Sequence, residues 1–127
     1  MSPEEWDGLS SIIDNQALLR RCLNNLQFAE RILTLFECTC GEELAEVDRA
    51  LEAGDVDAIS RIAHRLQGSS ANAAAKELQA RAAKLRTAAQ ERSLPEVSVC
   101  LQELRSEWQR LGAALSGHQP TPVAASS

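Results

Sequence analysis

Between Leu26 and Ala53 the apolar residues Ala29, Leu33, Phe36, Cys40, Leu44, Val47 and Leu51 recur at steps of three and four. That spacing restricts the fold more than any other feature of the chain. Mixed three- and four-residue steps gather side chains on one face of an α-helix, but would scatter them over both faces of a strand. The rhythm then returns three times. Val56, Ile59, Ile62, Ala63, Leu66 and Ala73 carry it first, followed by Ala75, Leu78, Ala82, Leu85 and Ala89. A seam of Val97, Leu101, Leu104, Trp108, Leu111 and Leu115 completes it. Two Phe, two Trp and no Tyr leave little aromatic material for a β-rich core.

Punctuation divides the rhythm into helices. Ser2-Pro3-Glu4-Glu5 reads as a helix start, with serine as cap and proline at the first helical position. Trp6, Leu9, Ile12, Ile13, Leu18, Leu19 and Leu23 give a loosely amphipathic first helix that Gly8 or Asp14-Asn15 can break. Asn24-Asn25 precedes the second helix, in which Gly41 is expected to introduce a bend. Gly54 stops that helix and Asp55 caps the third, roughly Val56 to Ala71. Asn72-Ala73-Ala74 is a weak junction. A fourth helix follows from about Ala75 to Glu91, with a small inner face and Lys76, Arg81, Lys84 and Arg86 toward the outside. Ser93-Leu94-Pro95-Glu96 is a capping box for the fifth, where Gly112 is a late weak point.

Helices joined by such short connections pack as antiparallel neighbours. The expectation is an all-α, antiparallel up-and-down four-helix bundle with an additional short or broken N-terminal helix laid across it. The bundle is expected to occupy residues 1–115. A disordered tail over 116–127 carries His118, exposed and without partners.

A net charge of -5 argues against nucleic acid or an anionic membrane as partner. No apolar run approaches the roughly 18 residues of a membrane span, and the acidic N-terminus is not a signal peptide. A cytoplasmic monomer is expected. Cys22, Cys38, Cys40 and Cys100 are then reduced thiols. Cys38 and Cys40, two apart, point to different faces of a helix, and no zinc site is expected.

One side of the third helix is different. At about a hundred degrees per residue, Ser60, His64, Gln67, Gly68 and Ala71 fall together, away from the apolar face. A glycine inside a helix costs about 1 kcal/mol against alanine. Placed one turn after a lone histidine, it implies that something must come close to the imidazole.

The stretch His64-Arg65-Leu66-Gln67-Gly68-Ser69-Ser70 resembles the H-x-L-K-G-S-S signature of histidine-containing phosphotransfer (HPt) domains. Leu35-Phe36 and Ala50-Leu51-Glu52-Ala53-Gly54-Asp55 upstream, and Ala73-Ala74-Ala75, Leu78 and Leu85 downstream, extend the resemblance over Leu26 to about Leu115. It implies that His64 accepts a phosphoryl group from an aspartyl phosphate of one receiver domain and passes it to an aspartate of another. It also implies a phosphocarrier with no ATP-binding or kinase domain and no cofactor of its own, since Mg²⁺ belongs to the receiver. Receiver (response regulator) domains are the implied partners, with a hybrid sensor histidine kinase as a further candidate. The alternative is a helical docking module that binds a receiver or kinase without carrying phosphate.

Two positions depart from the family pattern. Its usual lysine three residues after the histidine is Gln67 here, which donates a hydrogen bond but no positive charge. A phosphoryl group brings roughly -1.5 to -2 charges, so Arg61, one turn before His64, or Arg86 on the next helix is expected to compensate. Arg65 is adjacent but points elsewhere. Ala74 replaces a usual glycine, and Asn72 is the residue expected to take a left-handed conformation in its place. Ser69 and Ser70 are read as structural, bonding back to helix carbonyls. Gly68 is read as clearance for a partner. The partner face is expected around His64, with Leu35, Ile32 and Ile13 each open to a surface or a core role.

Overall fold

Capping side chains set where the helices begin. In the computed structural model, which describes Leu9 and residues 12–116, the carboxylate or amide oxygens of Asp14, Asn25 and Asp55 accept the N–H groups of Ala17, Phe28 and Ala58. They open α1 (Asn15–Arg21), α2 (Leu26–Glu52) and α3 (Val56–Asn72). Ala75 precedes α4 (Lys76–Gln90) without a side-chain cap, and Ser93 precedes α5 (Leu94–Ser116). The expected capping box there is one-sided. Ser93 Oγ accepts from the Glu96 N–H at 3.4 Å, while the Ser93 N–H goes to Ala88 O instead. The Ser2-Pro3 start and the 117–127 part of the tail, His118 included, lie outside the described residues.

The helices end alike. In each of the four connections the third residue past the helix end donates its N–H back to a carbonyl five residues earlier. The pairs are Asn24 to Leu19, Asp55 to Ala50, Ala75 to Ser70 and Ser93 to Ala88. The residue before each donor, Leu23, Gly54, Ala74 or Arg92, is left-handed, with φ between 54° and 68°. Four Schellman motifs therefore close the corners, although only one has the glycine that such a position favours. This corrects the expectation for the α3–α4 junction. Asn72 is the last residue of α3, and Ala74 itself takes φ 58°. Its carbonyl accepts the Asp14 N–H at 2.8 Å, so the connection is also tied to the N-terminal segment.

The four long helices run alternately up and down. Arg65 of α3 reaches Glu43 and Glu46 of α2, Arg92 beyond α4 meets Asp57 at the start of α3, and Arg105 of α5 grips Asp48 of α2. The short α1 lies across one end, where the Arg21 guanidinium donates to the carbonyls of Ala71 and Asn72. These are carbonyls with no partner inside their own helix, at the negative end of its dipole. The N-terminal element is thus broken at Asp14, one of the expected places.

The core follows the periodicity. Every apolar residue assigned to the inner faces of α3 and α4 is buried, as are Ala29, Leu33, Phe36, Cys40, Leu44 and Val47 of α2. Cys38 is exposed while Cys22, Cys40 and Cys100 are buried. Burial, helped by the carboxylates of Glu43 and Glu37, pushes the Cys40 thiol up to about 12, so it packs as a neutral group. Two polar side chains are buried among the described residues, Ser70 and Glu107, and the latter is paired with Arg110 at 2.9 Å.

Gly41 does not interrupt α2. A Cβ at this position would lie 2.7 Å from Cζ2 of Trp108, so the glycine is a seat for the indole of α5. The indole N–H donates to the Glu37 carbonyl at 2.8 Å.

Gly41→Ala is expected to lower the unfolding free energy by up to about 2 kcal/mol, because an overpacking cost of roughly 1–3 kcal/mol is set against the roughly 1 kcal/mol gained in helix propensity. Urea unfolding followed by tryptophan fluorescence checks it. Leu23 is left-handed and 89% exposed. Leu23→Gly is therefore expected to add about 0.5–1 kcal/mol, the left-handed strain of about 1–2 kcal/mol being only partly offset by unfolded-chain entropy. Thermal unfolding measures this gain.

Candidate functional site

His64 lies at the middle of α3, eight residues from either end. Ala63 and Leu66 beside it are fully buried, so the helix is fixed from the face opposite the imidazole. The ring itself is exposed, and no hydrogen bond or ion pair to it occurs among the described residues. Gly68, one turn on, is exposed as well. A Cβ there would meet nothing within 4 Å. Packing inside the bundle therefore gives no reason for a glycine at 68, in contrast to Gly41. Ser60, Gln67 and Ala71 are half-buried around the same face.

The cations sort themselves by partner. Arg65 is drawn toward α2, where Nε and Nη2 meet Glu43 at 3.1 Å and Glu46 at 2.8 Å. The hydrogen bond to Glu43 is the largest cause holding its pKa above the ordinary arginine value. Its direction away from His64 is the one expected. Arg61 is exposed, and no hydrogen bond or ion pair of its side chain occurs among the described residues. Arg86 differs from the expectation of an outward residue: it is half-buried, with Nη1 3.5 Å from Gln67 Oε1. Arg86 and Gln67 are thus brought together across the α3–α4 interface, one turn along α3 from His64.

The two serines part company. Ser69 Oγ donates back to the Leu66 carbonyl at 3.3 Å, the structural role expected of it. Ser70 is buried and its hydroxyl has no hydrogen-bond partner among the described residues, so no back-bond of that kind is present. Ile13 is buried, Ile32 packs partly against the core, and Leu35 is 68% exposed on α2. The long-range contacts of Arg65 with α2 and of Arg21 with the end of α3 had no signal in the sequence.

Chemically, the arrangement offers one accessible imidazole without an acid or base bound to it among the described residues. Such a ring can act as a nucleophile through an unprotonated nitrogen. The group it would take must be brought by another molecule, and the open space at Gly68 leaves room for that approach. Among the described residues no three His, Cys, Asp or Glu side chains gather as metal ligands would. No helix among them is long and apolar enough to cross a membrane.

Comparison with known proteins places this geometry. The model of the Hpt domain family matches residues 31–114. No curated protein matches the chain. Among solved structures, the histidine-containing phosphotransfer protein ZmHP2 from maize superposes with a TM-score of 0.77 at 20% identity, covering 90% of this chain and 91% of that one. A putative histidine-containing phosphotransfer protein from rice gives 0.74 at 20% identity, with 89% of each chain covered. HptB from Pseudomonas aeruginosa PAO1 gives 0.71 at 22% identity, with 80% and 89% covered. At these identities the likeness is one of fold.

Gly68→Ala is expected to stabilise the protein by about 0.5–1 kcal/mol, because the methyl group fills open space and only the helix propensity changes. Opposite signs for alanine at 41 and at 68, measured by urea unfolding, would distinguish the glycine that packs from the one that does not.

Proposed function

Because this chain belongs to the Hpt domain family, we propose that its phosphoacceptor is His64, which takes a phosphoryl group from the aspartyl phosphate of one receiver domain and gives it to an aspartate of another. The observation that carries the assignment is the exposure of the His64 ring on a helix anchored from behind, beside open space at Gly68. A histidine phosphotransfer protein of a phosphorelay needs that combination, because the reacting atoms belong to two different molecules. A docking module that carries no phosphate is not favoured by the family match.

The step is a displacement at phosphorus. A lone pair of an unprotonated ring nitrogen attacks the phosphorus of the aspartyl phosphate, a nitrogen–phosphorus bond forms, and the phosphorus–oxygen bond breaks. The aspartate leaves as a carboxylate, and the other ring nitrogen keeps its proton. The reverse step on a second receiver regenerates the free imidazole. Phosphoryl transfer is mostly positioning and charge stabilisation. This chain supplies the nucleophile and a rigid helix. The receiver supplies its acidic pocket, Mg²⁺ and lysine.

In this reading the chain works in the cytoplasm as a monomer and needs no cofactor of its own. Its partners are receiver domains, with a hybrid sensor histidine kinase as a further candidate. Leu35, exposed on α2, belongs to the face that docks them.

Incubation with a phosphorylated receiver domain is expected to give acid-labile, alkali-stable label on the wild type and none on His64→Gln. Label that persists in the variant would overturn the assignment. Gly68→Gln is expected to fold yet to lose at least about tenfold in transfer rate, by filling the space the receiver needs.

A further inference from the structure

Arg86 is the only arginine among the described residues that is half-buried and bonds to a neutral amide. Arg65, Arg81, Arg92, Arg105 and Arg110 all hold carboxylates, as does Lys76. An arginine drawn from solvent without a counter-ion is costly unless an anion arrives, since burial penalises an uncompensated charge. Its guanidinium has five N–H donors and can accept nothing. The contact with Gln67 therefore fixes the amide: the oxygen faces Arg86, and the NH₂ group remains free to donate elsewhere. Gln67 follows His64 by three residues, a spacing that brings side chains to within about 5–6 Å between Cβ atoms.

Arg61 stands on the other side of His64, one turn earlier, and differs in kind. It is exposed, so its attraction for an anion is screened by solvent and opposed by the entropy of ordering a long side chain. Arg86 is already ordered across the α3–α4 interface by the amide.

We infer that Arg86 supplies the positive charge that meets a phosphoryl group on His64, and that Gln67 holds the guanidinium in place while donating its own N–H to a phosphoryl oxygen. The inference rests on His64 being the phosphoacceptor. The charge that the H-x-L-K-G-S-S signature places three residues after the histidine is here carried by the neighbouring helix and delivered through the neutral amide of Gln67.

The test uses the full chain carrying His118→Gln, so that His64 is the one histidine phosphoramidate can phosphorylate and no receiver has to be found. The second ionisation of the phosphoryl group is followed by ³¹P NMR against pH. A cation at 4–6 Å lowers such a pKa by about one unit or more. Arg86→Gln is therefore expected to raise it by about that amount and to shorten the lifetime of the phosphohistidine several-fold. Arg61→Gln is expected to move it by less. Arg105→Gln, on α5 and paired with Asp48 of α2, is expected to leave it unchanged. The double variant Gln67→Lys with Arg86→Gln is expected to restore the wild-type titration by returning the charge to α3. Loss of a merely structural contact would not be repaired in that way.

An unchanged titration in Arg86→Gln, or an equal or larger shift in Arg61→Gln, overturns the role of Arg86 and leaves His64 as the acceptor. Label taken from a phosphorylated receiver that persists in His64→Gln overturns the acceptor itself, and the Arg86 inference with it.

Discussion

The close contact of α3 with α4 governs how His64 is presented. The two helices are in extensive contact, with small Ala63, Ala82 and Ala89 and larger Leu66, Leu78 and Leu85 on their buried faces. Core packing of this kind is dense and intolerant of small shifts. It fixes the rotation of α3 about its own axis, and that rotation decides which residues reach solvent. One helical position either way would turn the imidazole by about a hundred degrees. The same contact brings Arg86 to Gln67. Placement of the nucleophile and placement of Arg86 are therefore consequences of one interface.

Much of this was legible in the sequence because it depends on local order along the chain. Three- and four-residue apolar steps marked the helices, and their inner faces are the buried ones. Asp55 was readable as a cap, while Asp14 and Asn25, legible only as a break and as punctuation, act on the backbone three residues ahead in the same way. His64 and Gly68 stood out through their spacing. The corners were readable only at Gly54. Leu23, Ala74 and Arg92 occupy equivalent left-handed positions without the residue type that advertises them. By local chemistry Asn72 was the better candidate at the third corner, but the hydrogen bonds from Ala75 to Ser70 and from Asp14 to Ala74 select Ala74.

What local order could not convey involves partners far apart in the chain. Gly41 reads as a weak point until Trp108 is seen lying on it. The burial of Glu107 makes sense once Arg110 is seen to hold its carboxylate. The choice between Arg61 and Arg86 was open for the same reason. Periodicity gives the face of each helix but not the angle at which two helices meet, and only that angle brings a side chain of α4 to the amide of Gln67.

The four Schellman corners have a consequence for how a modified state can differ from an unmodified one. Between α2 and α3, α3 and α4, and α4 and α5 only three residues intervene, all bonded to the preceding helix. A one-turn slide of neighbouring helices requires about 5.4 Å of spare chain, and these connections hold none. The bundle is thereby denied the ratchet-like rearrangements by which many proteins transmit a local event. A molecule reading this protein must do so at the surface of α3 itself, where the message is written in charge and shape at a single ring.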